Sequence, residues 1–149
     1  MPPLVPVLTA VTVFVALTTM TSAQMVEHTT RFIWEEAPFP RAHASTIVEA
    51  PDGSLIAAWF GGSGEGHEDV GIWSSRKPEG GAWLPPTELY KEPGQPAWNP
   101  VLFRDASDTI WLFFKVGPSP REWSGAYMKS IVSGERWSEP VWFPAGMLG

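Results

Sequence analysis

Short antiparallel strands gathered into tandem four-stranded sheets, without helices, are expected of this 149-residue chain on three grounds. The first is composition. The 16 prolines, 14 glycines and 9 tryptophans suit short strands joined by many turns, and no capped amphipathic window of helical period stands out. The second is the stretch from His43 to Trp83, in which apolar strand signals and turn signals take turns. The third is that the same order of parts returns about 55 residues later. At that offset Trp59 pairs with Phe114, Ile72 with Tyr127 and Ser75 with Ser130, while Trp83 meets Trp137 one residue short. A period of that size with four strands per unit is the signature of a β-propeller blade.

Residues 1–23 carry no charge and hold an apolar core from Leu4 to Leu17, ending in Thr21-Ser22-Ala23, small residues that a signal peptidase accepts. A secretory leader cut near Ala23 is expected, making the protein extracellular with no stable membrane association; an uncleaved N-terminal anchor is the alternative. A lead-in strand is expected around Val26 to Trp34.

Ala44 to Val48 then forms the first strand of the first unit, and Pro51-Asp52-Gly53-Ser54 reverses the chain, with Gly53 free to take positive φ. Leu55 to Phe60 is the second strand. The Gly-rich segment from Gly61 to Glu68 cannot continue it and loops, after which Val70, Ile72 and Trp73 restart extended structure. Ser74 to Gly81 turns again, and Trp83 opens the fourth strand. The first blade runs over about 39–90 and the second over about 96–144. Since a closed propeller takes at least four blades, two would leave apolar flanks open. The chain is therefore expected to be the N-terminal part, residues 24–149, of a longer propeller whose remaining blades are missing, with the lead-in strand closing the ring.

The formal net charge of −6 argues against nucleic acid as a partner, because phosphate binding needs clustered Lys and Arg. No cysteine is present, so an exported domain would be held by packing of its aromatic core alone.

Alternating strand direction assigns loops to faces. His43, the loop from Gly61 to Asp69, the connection from Lys91 to Asn99 and the loop from Lys115 to Ser124 share an upper face; the turns at Asp52-Gly53 and Ser74 to Trp83 share the lower one. The upper face thus gathers His43, Glu65, His67, Glu68 and Asp69 from the first unit with Trp98, Asn99, Lys115, Arg121 and Trp123 from the second. Carboxylates beside imidazoles serve proton transfer, tryptophans offer flat surfaces for sugar rings, and Lys or Arg holds an anionic carboxylate. The combination suits a carbohydrate acid. Each residue also has a plainer use: His43 as a strand cap, His67 and Glu68 as solvated loop residues, Asp69 as a turn stabiliser. Trp59, Trp73, Trp83, Trp111 and Trp137 read as core or inter-blade packing, whereas Trp98 and Trp123 are looser and suit a ligand platform.

Other chemistries find little support. Gly61 to Gly66 lacks the trailing Lys-Ser/Thr of a phosphate loop and opens no helix. There is no Gly-x-Ser-x-Gly elbow in a strand-to-helix setting, and His43 and His67 lack metal-ligand spacing. No metal and no cofactor is expected.

The segments HASTIVEAPDGSLIAAWFGG, DVGIWSSR, NPVLF, LFFKVGPSPREW and SGERWSEP together resemble the sialidase-like superfamily of bacterial-neuraminidase repeats, in its predicted neuraminidase branch, from about Phe39 to Gly149. The superfamily's Asp-box, Ser-x-Asp-x-Gly-x-Thr-Trp, is matched in degenerate form by Ser130 to Trp137, which keeps Ser130, Gly134 and Trp137 but has Val132 for the Asp and Arg136 for the Thr. Ser75 to Trp83 is looser still. These boxes are lower-face turn staples in the family, so they imply a six-bladed propeller and say nothing of catalysis.

The family's first carboxylate-binding arginine falls at His43, a departure, with Arg41 two residues earlier as a substitute on the same side of the strand. The family's acid/base Asp corresponds to Asp69 or Glu65; its tyrosine nucleophile would lie beyond Gly149. The resemblance implies a secreted glycoside hydrolase, exo-acting on a terminal acidic or deoxy sugar. His43, Glu65 and Asp69 are its expected catalytic residues, and Arg41, Trp98, Asn99, Lys115, Arg121 and Trp123 its expected substrate-binding residues, with a glycan as substrate. A non-catalytic carbohydrate-binding propeller, and a polysaccharide lyase with His43 as base beside a uronate carboxylate, are the alternatives.

Overall fold

Runs of β-branched and aromatic residues cut by Pro, Gly and Asp turns fold as eight strands: β1 Arg41–Glu49, β2 Leu55–Gly62, β3 Gly71–Lys77, β4 Thr87–Tyr90, β5 Ala97–Arg104, β6 Ile110–Val116, β7 Ser124–Ser130 and β8 Val141–Trp142. They are seen in a computed structural model that describes residues 30–144, 146 and 147; the expected leader and its cleavage point at Ala23 lie outside the described residues. The strands make two four-stranded antiparallel sheets, β1-β2-β3-β4 and β5-β6-β7-β8, each in sequence order. This is the meander of a β-propeller blade, built twice.

The equivalence extends to a defect. The first strand of each sheet carries a β-bulge, between His43 and Thr46 in β1 and between Trp98 and Val101 in β5. Ala44 and Asn99, one residue into each bulge, take positive φ of 51° and 44°. A bulge sends the side chains before it to a different side from strict alternation after it, so it re-aims the upper ends of β1 and β5.

One face of the first sheet packs on one face of the second. Ile56, Ala58 and Phe60 of β2, with Ile72 of β3, meet Leu112 and Phe114 of β6 and Met128 of β7 in one buried cluster. Each of the larger of these buried side chains contributes roughly 1.5–3 kcal/mol. The opposite face of the first sheet, Ala57 and Trp59, is covered by a second cluster holding Ile33, Trp34, Phe39 and Trp83. Several details differ from expectation. β2 runs on through Gly61 and Gly62, and β3 through Ser74 to Lys77, because the first pair stays bonded to β1 and the second stretch to β2 where a loop and a turn were expected. Of the expected lead-in strand, residues 26–29 lie outside the described residues and residues 30–34 form no strand; instead Trp34 lies over Trp59 at 4.3 Å between ring centroids, and Phe39 contacts Trp73 at 4.8 Å. Burying the Trp34 indole against Trp59 takes the place of strand pairing over this segment. Trp83 likewise precedes the fourth strand, which begins at Thr87, because its ring packs inward ahead of the pairing.

On the lower face a polar tie joins the sheets. Arg76 donates from Nε to the Ser54 hydroxyl at 3.1 Å and to the Ser133 carbonyl at 3.2 Å, and pairs with Asp52 and Glu135. Ser130 accepts from the amides of Val132 and Gly134, which is how the degenerate box staples its turn. Gly134 has φ of 78°, and a Cβ there would lie 2.4 Å from Ile56 Cδ1, so any other residue would dock this turn only with a strained backbone and a displaced Ile56.

Candidate functional site

Three of the titratable or charged residues singled out in the sequence line one cavity of about 410 Å³ on the upper face: Arg41 and His43 from β1, and Glu65 from the β2–β3 loop. Phe60, Gly62 and Val70 complete its floor and wall. Arg41 pairs across the ladder with Gly62 and His43 with Phe60, both ahead of the bulge, so the two side chains project from the same side of β1. The volume falls in the range of small-ligand pockets, and an arginine, a histidine and a glutamate are among the residues that line it.

Asp69 is placed differently. Its Oδ2 accepts the Ser63 amide at 2.8 Å and its Oδ1 the Ser63 hydroxyl at 2.7 Å. The Ser63 hydroxyl holds its carboxyl below the usual carboxylate range, with the Ser63 amide adding to the effect and the charge of Lys91 contributing less. Ser63 Oγ also lies 2.9 Å from His67 Nδ1. Its one hydrogen is already directed at Asp69, so His67 is the donor in that contact. Asp69 is thus an ionised acceptor that closes its own loop.

The second unit contributes aromatic structure. Trp98 stands at the position in β5 equivalent to His43 in β1, yet it is only 7% exposed and its indole N–H donates to the Gly117 carbonyl at 2.8 Å. It meets Phe60 edge-on at 6.1 Å and Trp123 at 5.8 Å between centroids, and its ring rests against Gly66 of the β2–β3 loop. Gly66, at φ of 80°, is needed for that approach. Lys115 Nζ sits 4.0 Å from the centre of the Trp123 ring, a cation–π contact. A line of rings therefore runs from His43, 5.6 Å from Phe60, through Trp98 to Trp123 and ends at Lys115.

The remaining residues lie apart from the first cavity. Asn99 and Lys115 border a separate apolar cavity of about 390 Å³ with Val101, Phe113 and Phe143. Arg121 is exposed in the β6–β7 loop, its amide 3.4 Å from Ser119 Oγ. Phe60 and Ser63 were not singled out in the sequence. Phe60 reads as an ordinary strand residue, and its role depends on a neighbouring sheet. Ser63, six residues before Asp69 among glycines, carries the usual signal of a side-chain-to-backbone loop closure.

The family described as BNR repeat-like domain matches residues 53–148, more than half of the chain. Among solved structures, the Hadza microbial sialidase Hz136 superposes with a TM-score of 0.58 at 19% identity, over 68% of this chain and 25% of that one. A protein of unknown function from Dyadobacter fermentans DSM 18053 superposes with a TM-score of 0.56 at 18% identity, over 69% of this chain and 36% of that one. The chain therefore spans about a quarter of the first and about a third of the second. No curated protein matches it. At such identities the two structures share the fold, and each functional residue must be argued from its own surroundings.

Proposed function

The chain belongs to the family of BNR repeat-like domains, and from that premise we propose that it acts on glycans, holding a terminal acidic sugar in the cavity at Arg41, His43 and Glu65 and hydrolysing its glycosidic bond. The observation that carries this reading is that Arg41, His43 and Glu65 all line one cavity of about 410 Å³. Arg41 offers the planar fork that pairs with a sugar carboxylate. Glu65 is the group that exchanges a proton with the glycosidic oxygen, and His43 orients the sugar beside it. Asp69 is ill suited to hold a proton for donation, because its hydrogen bonds to Ser63 favour the charged form. The group required on the opposite face of the sugar ring would come from a further blade on the open aromatic face of the second sheet. Export behind the leader at residues 1–23 would bring the protein to extracellular glycans.

The test is turnover of an aryl sialoside and of a uronate-containing glycan by the whole protein. Release of the terminal sugar, lost in Glu65→Gln and weakened through KM in Arg41→Ala, is the expected result; turnover that survives Arg41→Ala, His43→Ala and Glu65→Gln unchanged would sink it. A binding reading without catalysis is favoured by the Lys115–Trp123 stack. It predicts that Trp123→Ala abolishes glycan affinity while Glu65→Gln leaves it intact, with no product formed. An unsaturated product from the uronate glycan, lost in His43→Ala, would instead mark a lyase.

A further inference from the structure

We propose that Ser63, His67 and Asp69 form a positioning clamp that aims Glu65 into the cavity, so that Asp69 acts through the loop and never on the substrate. This rests on the reading of the Arg41, His43 and Glu65 cavity as the substrate site. Glu65 stands between Gly64 and Gly66, the pair of neighbours with the most backbone freedom, and a carboxylate on such a segment would wander without a restraint.

The restraint is visible on both sides of it. Ser63, two residues before, and Asp69, four residues after, are joined by two hydrogen bonds, one through the Ser63 amide at 2.8 Å and one through its hydroxyl at 2.7 Å. His67 adds a third bond to the same hydroxyl at 2.9 Å and its imidazole lies over Gly64. Backbone bonds from the His67 amide to the Gly64 carbonyl and from the Val70 amide to the His67 carbonyl, both 3.0 Å, close one turn inside the clamp and one that ends a residue past it, just before β3. The loop is finally seated on the second sheet: Gly66 rests on Trp98, and the Ala97 amide donates to the Val70 carbonyl at 3.0 Å. Only Glu65 of the loop's four titratable side chains lines the cavity, while Asp69 has both oxygens engaged and His67 holds Ser63. A functional carboxylate held by neighbours that do not themselves touch substrate is the arrangement that precise geometry requires.

The clamp is tested on the whole protein with Ser63→Ala, Asp69→Asn, the double variant and Glu65→Gln, by steady-state turnover of an aryl sialoside or aryl glucuronide and by hydrogen exchange of residues 63–69. Glu65→Gln should lower kcat by about 10²-fold or more, as loss of a proton-transfer group does. Ser63→Ala and Asp69→Asn should each lower kcat by about tenfold with KM little changed, and the double variant should match the worse single one because both break one clamp. Both singles should speed exchange across 63–69 and leave the β2 and β3 amides protected.

The proposal is overturned if Asp69→Asn is as damaging as Glu65→Gln while Ser63→Ala is neutral, which would make Asp69 the reacting group. It is also overturned if exchange in the loop is unaltered by either single variant. Failure of the cavity reading has a different mark: Arg41→Ala, His43→Ala and Glu65→Gln would all leave turnover unchanged while the loop variants still altered exchange.

Discussion

β2 and β6 hold the same place in the two sheets, yet β2 is buried at every position after Leu55 while β6 alternates between buried and half-buried. Both are almost wholly apolar by sequence, LIAAWFGG against IWLFFKV, so composition does not account for the contrast. The cause lies in what covers them. β2 has the second sheet on one face and the segment with Trp34 and Phe39 on the other, whereas only Ile110, Leu112, Phe114 and Val116 of β6 meet the first sheet. Its other face carries Trp111, stacked on Phe113 at 6.1 Å between centroids, with Phe103 and Val101 more than half exposed alongside. The same contrast governs the upper rim. His43 and Trp98 stand one residue ahead of equivalent bulges, but the first is exposed beside a cavity while the second is packed between Phe60 and Trp123.

The sharpest way to break this comparison is to truncate adjacent residues of β6. Phe114→Ala, 1% exposed against the first sheet, should cost about 3–5 kcal/mol in chemical denaturation, and Phe113→Ala on the open face less than about 1.5. Equal costs would mean that the open face is covered in solution. A smaller effect is expected at the seam. Gly134→Ala would force a Cβ against Ile56 from a backbone at φ of 78°, which should cost about 2–3 kcal/mol; a neutral result would show that the lower turn does not dock as described.

The smallest effect belongs to the polar tie. The hydroxyl of Ser54 pulls the Asp52 carboxyl from 3.8 to about 2, with the Ser54 amide and Arg76 adding to it. A folded pKa below the unfolded one stabilises the protein above the unfolded value, and that contribution is lost as pH falls from about 4 to about 2. Asp52→Asn should therefore flatten the acid limb of a stability profile by a modest amount, since the group is largely exposed. An unchanged limb would mean that Arg76 holds the sheets without it.

Much of the fold was legible in the chain. The turn at Asp52-Gly53, the loop through Ser63 to Glu68 and the offset of about 55 that matches β1 and β2 with β5 and β6 depend on local backbone preferences and on a repeated plan, and both can be read without coordinates. The offset slips by two residues in the third strands, where Ser75 faces Ala57 but Ser130 faces Ile110, and Gly61 and Gly62 continue β2 where a loop was expected. Of the candidate site, the sequence indicated that His43 and Glu65 belong to one face, because strand direction assigns faces, and it added Arg41 only through the family resemblance and strand alternation. It could not indicate that Asp69 turns back onto Ser63. Nor could it separate Asn99 and Lys115 from the first cavity, since cavity walls form between elements.

Strand number, strand order and the choice of upper and lower rims follow from period and turn chemistry, properties that each short segment carries within itself. Only the packed molecule decided which equivalent residue became a wall, an anchor or a free side chain. His43 and Trp98 differ in exposure because desolvation depends on the neighbouring sheet and loop, and those contacts join residues far apart in the chain.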